Sequence, residues 1–411
     1  MTILDLPAPT IQPPNDEPPV DAPPPAASGE PPGRPRRKRH RRRVIAAVLV
    51  ALMIPTGLSY GQYMTAPGDA PVDVRSVEWL RDHGFESAVA NVEQWWYSRQ
   101  TPTGTTVAAA DVVKIPASST PAPSAAGAGT AASPPTTVDA IPTVISPAQP
   151  AEGVWSSVAG LSTGGVDETF IRPDTAYPSV AVNLVRFDQQ RTRLVYAPGT
   201  KEPVGGSWKW SSEIPRSERS RTVAAFNAGF KFKDTAGGVY TEGKSAVRPL
   251  EDGLASVVIH SDGTANVARW GRDATMSADV VSVRQNLSLI VDGGAPVDGL
   301  MTNADGLWGS RKSQLQYTAR SGLGVDAQGR LLYAAGRDMS LGQLASALAD
   351  AGAVRAMQLD IHNQMVSFSY YRPDTGSANG VSATKLISGM KRDATRYLSA
   401  DQRDFFAVQA R

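Results

Sequence analysis

From residue 101 to 150 the chain is dominated by Ala, Pro, Thr and Ser, in runs such as TPAPSAAGAGTAASPPTT. A stretch of this kind has too little apolar surface to offset the entropy lost on ordering, so it reads as an extended linker. Any large core is thereby confined to residues 151–411, about 260 residues, enough for one domain. No cysteine occurs among the 411 residues. Disulfides, thiol nucleophiles and cysteine-ligated zinc are therefore excluded, and the core must hold by packing.

The segments ahead of the linker differ sharply from it. Residues 1–33 are proline-rich and acidic, with no basic residue, and are expected to be disordered. RPRRKRHRRR, residues 34–43, then carries eight Lys and Arg, and VIAAVLVALMIPTGLSY, residues 44–60, is uncharged and largely apolar. Taken alone, the basic run reads as a nucleic-acid patch. Beside 17 apolar residues it reads instead as the cytoplasmic flank of a single-pass signal anchor. The expectation is a cytoplasmic tail over 1–43, a transmembrane helix over 44–60 and an extracytoplasmic remainder. That remainder is close to neutral, so no nucleic-acid partner is expected.

Residues 61–100 place Phe85, Val89, Val92 and Trp96 at helical spacing, which predicts a short juxtamembrane segment of two helices broken at His83-Gly84. Packing is the simplest reading of Trp95 and Trp96. A glycan-stacking platform or a membrane-interface anchor is the alternative.

Within 151–411, apolar strand patterns such as SVAVNLVRF, TVAAFNAGF and VVSVRQNLSLIVDGG outnumber helical ones, and the fold class predicted is α+β, a single strand-rich domain of mixed α and β elements. Residues 317–364 are the most specific stretch. GLGV and LLYAA flank a tight VDAQGR reversal, predicting a hairpin. Ser340 and Gln343 can form a capping box, and Leu341, Leu344, Ala345 and Leu348 make a buried stripe, which predicts a helix over 341–351 ending at Gly352. A second, weaker helical pattern lies near 391–398. VRAMQLD then alternates as a strand, putting Asp360 and His362 on one face if the strand continues. Two readings stand for that pair: a functional acid and imidazole, or a turn cap beside a half-buried histidine.

Other candidate site residues follow from strand ends. Asn227, after TVAAF, can donate and accept at once, and Gly229, Gly237 and Gly238 allow close backbone approach, as a sugar or phosphate site needs; ordinary turn formation explains them equally. Arg320 opens the GLGV strand, where its guanidinium can hold a phosphate or a surface carboxylate. No P-loop, GxSxG, HExxH or GxGxxG before a helix is present, so nucleotide hydrolysis, serine-hydrolase and zinc-protease chemistry lack support. Cofactor need is unassigned, a divalent cation at Asp360 being compatible with the residue types but not required.

In order along the chain, NAGF (227–230), GG (237–238), LIVDGGAPV (289–297), ARSGLGVDAQGRLL (319–332), the LGQLASALADAGA helix and QLD (358–360) resemble the phosphodiester glycosidase family. The resemblance covers roughly 150–411 and is to a diverged, bacterial-type member. It implies hydrolysis of a sugar-1-phosphodiester in an envelope glycan or glycolipid. Asn227, Arg320 and Asp360 fall on matching motif positions, which implies Arg320 on the phosphodiester, Asn227 on the phosphate or sugar and Asp360 at the reacting centre; from their own chemistry His362 joins as a catalytic candidate, and Gly229, Gly238 and Asn363 as binding candidates. The chain departs from the family pattern after the last of these strands, where LDIHNQ stands in place of LDGGGS. Either His362 and Asn363 then supply new polar contacts, or the pocket is filled and the domain is a non-catalytic glycan-binding or scaffold protein of the envelope.

Overall fold

The computed structural model describes residues 36–66, 70–97, 99, 101–115, 140–203, 208–210, 212–310 and 314–411. The tail expected over 1–33 and the middle of the expected linker, 116–139, lie outside the described residues. The chain divides into two compact units, Met1–Ser59 and Tyr60–Arg411. In the first, the described residues belong to a helix that starts at Arg36 and contains Pro55. Among the described residues no helix is long and apolar enough to cross a membrane. The apolar run 44–60 is helical throughout, and its side chains at 46, 49, 50 and 52 lie outside the described residues.

The described residues of the second unit form three sheets whose named strands pair antiparallel. The middle of the eight-stranded sheet runs Val182–Phe187, Leu331–Met339, Thr318–Asp326, Ala353–Ile361 and Leu289–Asp292. A five-stranded sheet holds Thr222–Asn227 between Phe368–Pro373 and Phe405–Ala410. The third, also five-stranded, centres on Val280–Gln285. Strand-rich α+β is thus the architecture of this unit.

Local chemistry explains the predicted elements. The 318–339 hairpin closes because Asp326 Oδ1 accepts from the backbone N–H of Gln328 at 3.0 Å and of Arg330 at 2.8 Å. The helix Leu341–Asp350 starts on the expected capping box of Ser340 and Gln343, and Leu341, Leu344, Ala345 and Leu348 are fully buried. Each leucine so buried contributes about 1.5–3 kcal/mol, so Leu344→Ala should cost about 2–5 kcal/mol. Phe226 centres an aromatic cluster, its ring centroid 4.8 Å from Tyr333, 5.8 Å from Phe368 and Phe406 and 6.4 Å from Phe187. That cluster fixes the strand end at which Asn227 follows.

Three expectations are corrected. The flanks of the linker belong to the domain: Val113 and Ile141 are each 5% exposed, and Val113 N–H donates to Asn183 Oδ1 at 2.8 Å. A few branched apolar residues suffice to dock a stretch whose average composition is that of a linker. Trp95 and Trp96 stay out of the core; they are 56% and 57% exposed, the Arg99 guanidinium lying over the Trp95 ring at 4.0 Å, on a helix, Glu86–Tyr97, that buries none of its residues. Near 391–398 only a single turn, Arg396–Leu398, forms. The break between the two N-terminal helices does fall at His83-Gly84, with Gly84 at φ 89° between Val72–Leu80 and Glu86–Tyr97.

Candidate active site

Strand Ala353–Ile361 lies against Thr318–Asp326 with Ile361 opposite Arg320 and Gln358 opposite Gly322. Its alternation sends Met357 and Leu359 into the core and leaves Asp360 at the inner wall of a cleft of about 370 Å³. Asp360 is 5% exposed; Oδ1 accepts from Ile361 N–H at 2.8 Å and Oδ2 from Arg403 Nη2 at 3.3 Å. Burial pushes its pKa up to about 7, against the opposing pull of Arg403 and the Ile361 N–H. A carboxyl group that titrates there exchanges a proton readily at neutral pH.

His362 also lines the cleft, but by a different backbone than alternation predicts. The strand ends at Ile361 and His362 takes a left-handed conformation, φ 74°. Its Nδ1 lies 3.4 Å from Thr318 Oγ1 and its ring stacks on Tyr97, centroids 5.0 Å apart. Burial, with Arg81 and Arg320 nearby, lowers its pKa to about 3. The imidazole is therefore neutral across the physiological range, a hydrogen-bonding and stacking surface rather than a proton donor.

The remaining candidates divide. Asn227 is buried and does not line the cleft; its Nδ2 donates to Ser321 Oγ at 3.0 Å and its Oδ1 accepts from Ser367 N–H at 3.2 Å. Ser321 Oγ in turn lies 3.4 Å from Asp360 N, so Asn227 reaches Asp360 only through that hydroxyl. Arg320, expected on the phosphate, is wholly buried, with Nε on Met339 O, Nη1 on the Gln314 and Gln358 side chains and Nη2 on the carbonyls of Gln314 and Gln316. Those acceptors occupy its fork, and it supports Gln314, whose residue lines the cleft. Gly229 gives its carbonyl to Arg403 at 2.7 Å, and a Cβ there would stand 2.9 Å from the Arg284 guanidinium carbon. Gly238 serves the chain path: a Cβ would meet Arg248 O at 2.4 Å. Asn363 is half-buried and is not part of the cleft wall.

Arg403 is a candidate site residue that sequence reasoning missed. It lines the cleft, sits 11% exposed between Asp360 and Glu202, and among the described residues its Nε makes no hydrogen bond, the Glu202 carboxylate standing 3.6 Å off. The available signal was the charged run ADQRD before the apolar FFAVQA strand. Lys231 and Lys233, from the turn after Asn227, add two cations to the same cleft. Among the described residues, no group of three or more histidine or acidic side chains is arranged to hold a metal ion.

This constellation of buried carboxylate, arginine and lysines falls largely inside one stretch of recognisable sequence. Residues 220–366 match the phosphodiester glycosidase family model. The match supports a glycosidase-type function. Among solved structures, the catalytic domain of the zebrafish N-acetylglucosamine-1-phosphodiester alpha-N-acetylglucosaminidase, described as auto-inhibited by its pro-peptide, is similar at 15% identity and TM-score 0.40, over 62% of this chain and 88% of that one. A hypothetical protein from Synechocystis is similar at 14% identity and TM-score 0.36, over 62% of this chain and 64% of its own. A protein from Burkholderia pseudomallei is similar at 11% identity and TM-score 0.27, over 56% of this chain and 74% of its own. No curated protein matches the chain.

Proposed function

We propose that this chain hydrolyses sugar-1-phosphodiesters, with Asp360 as the proton-transferring residue. The observation that carries the reading is a buried carboxyl group, raised to about 7, facing a cation-lined cleft within the residues matched by the family model. In the proposed step, water adds to the anomeric carbon as the bond from that carbon to the phosphate oxygen breaks. The electron pair of that bond leaves with the phosphate monoester, and Asp360 takes the proton from water. Phosphate leaves without protonation, its added charge met by Arg403 and Lys231. Neutral His362, held in place by the Tyr97 ring stacked on it, offers the cleft an imidazole able to hydrogen-bond a sugar hydroxyl.

The same reading makes residues 44–60 a membrane anchor with 1–43 in the cytoplasm and the domain outside, where an envelope glycan or glycolipid would carry the phosphodiester. The basic run before the apolar segment supports it. Because the chain has no cysteine, a single Ser162→Cys substitution reports topology cleanly. Labelling of intact cells by a membrane-impermeant thiol reagent is the expected result, and labelling only after lysis removes the topology.

Activity is tested by incubating the full chain in detergent with a panel of sugar-1-phosphodiesters, nucleotide sugars included, and following release of reducing sugar. Turnover that vanishes in Asp360→Asn supports the hydrolase. Glycan binding with no turnover moves the chain to the non-catalytic reading.

A further inference from the structure

Lys231 and Lys233 lie on the turn that leaves strand Thr222–Asn227, and both already hold anions supplied by the chain itself. Lys231 Nζ stands 3.1 Å from Glu78 Oε1, with the two side chains only 9% and 11% exposed. Lys233 Nζ stands 3.5 Å from Glu86 and 3.9 Å from Asp82. Glu78 lies on the helix Val72–Leu80, Asp82 just before the His83-Gly84 break and Glu86 at the start of Glu86–Tyr97, so the three acids flank that break in the N-terminal segment 72–97. This segment runs between two cavities, of about 370 and about 590 Å³, which share Lys231, Lys233 and Arg403 as walls.

Burial alone would raise the Glu78 carboxyl, but Lys231 and then Arg403 outweigh it and hold its pKa below the ordinary value. The site is thus tuned for an anion. Arg403 adds a buried Nε–H that makes no hydrogen bond among the described residues, the Glu202 carboxylate standing 3.6 Å from it. A phosphodiester resembles a carboxylate in what this site can sense: one negative charge over two free oxygens, met by lysines as point charges and by a guanidinium edge.

We infer that Lys231, Lys233 and Arg403 form the phosphodiester-recognising subsite of the cleft, and that Glu78, Asp82 and Glu86 occupy it in the free chain. The inference rests on the hydrolase reading for the ligand's class. Binding of substrate is then an exchange of one anion for another, in which the helical segment must release Lys231 before the phosphate can take it. A ligand that binds only the released state has its apparent affinity lowered by the fraction of chains in that state.

The test is calorimetric binding of a methyl glucose-1-phosphate diester, and of inorganic phosphate, to the full chain. The triple variant Glu78→Gln, Asp82→Asn, Glu86→Gln should bind the diester about tenfold or more tightly. Lys231→Met should lose that binding, and Asp360→Asn should keep it. The exchanged pair Glu78→Lys with Lys231→Glu, which preserves the internal ion pair, should bind neither anion and guards against misfolding as the cause of loss. Unchanged affinity in the triple variant together with wild-type affinity in Lys231→Met overturns the inference. The two proposals fail separately: anion affinities that move as stated with no turnover in any variant remove the hydrolase and keep the subsite, whereas turnover whose KM ignores both sets of substitutions does the reverse.

Discussion

Two buried aspartates, Asp360 at the cleft and Asp401 in the loop before the last strand, are both almost inaccessible, and Arg403 touches each. Yet burial raises one to about 7, while the other is held down to about 2 despite the same burial. The donors account for the difference. Asp401 accepts from Arg396 Nε at 2.7 Å and Nη2 at 3.3 Å, from Arg392 Nη2 at 3.2 Å and from Arg403 N–H at 2.8 Å. Asp360 has one backbone N–H and one arginine contact at 3.3 Å. A carboxylate given four donors is a structural anion; one given two and a cleft is a group that can trade its proton.

Exchanging each carboxylate for its amide tests that division, with the larger effect expected at the cleft. Asp360→Asn should lower kcat by about 10²–10⁴ while the protein stays folded, measured by sugar release beside circular dichroism. Full turnover in this variant would remove Asp360 from the chemistry. Asp401→Asn should instead cost about 3–5 kcal/mol of stability, read from urea unfolding, because Arg392 and Arg396 lose their shared buried counter-ion. If Asp401→Asn abolished turnover without loss of stability, the assignment of roles would be reversed.

The contrast also shows what the sequence made legible. The hairpin, the capped helix and the strand ending at Asp360 are local patterns of turn residue, cap and alternation, and the structure reproduces them. Whether Asp360 would face a cleft or cap a turn was left open by those patterns, since a polar residue at a strand end can serve either. Arg320 and Arg403 were not legible, because a lone arginine in a sequence carries no sign of where its guanidinium ends. Arg320 is consumed by carbonyls and glutamines from 314–316, 339 and 358, whereas Arg403 reaches across from a segment some forty residues after its partner. The His362 backbone was illegible too: strand alternation cannot anticipate the residue at which it stops.

A smaller effect separates contact with the reaction from support of it. Asn227→Ala leaves the Ser367 N–H and the Ser321 hydroxyl without their buried partner, so a loss of about 1–3 kcal/mol is expected in unfolding experiments. Because Asn227 reaches Asp360 only through Ser321, kcat should fall much less than in Asp360→Asn. A loss of kcat equal to that of Asp360→Asn, at unchanged stability, would return Asn227 to the reacting centre.

The smallest expected effect is a slope, and its sign distinguishes the two aspartates. Asp360 has a folded pKa above its unfolded value, so its contribution to stability is complete below about pH 4 and is lost as pH rises through about 7. Asp401 has a folded pKa below its unfolded value, so its contribution is complete above about pH 4 and is lost as pH falls through about 2. Neither can exceed about 1.4 kcal/mol per pH unit. Subtracting the unfolding free energy of each amide variant from that of the parent at every pH isolates each aspartate, since His362 is common to both chains and cancels. The Asp360→Asn difference should move in favour of the variant between about pH 4 and 7 and level off above. The Asp401→Asn difference should be flat there and shrink only in acid. Curves of the same sign would mean that the Arg403 contact, rather than burial, governs Asp360, and a carboxylate so held would be ionised throughout and poorly suited to moving a proton.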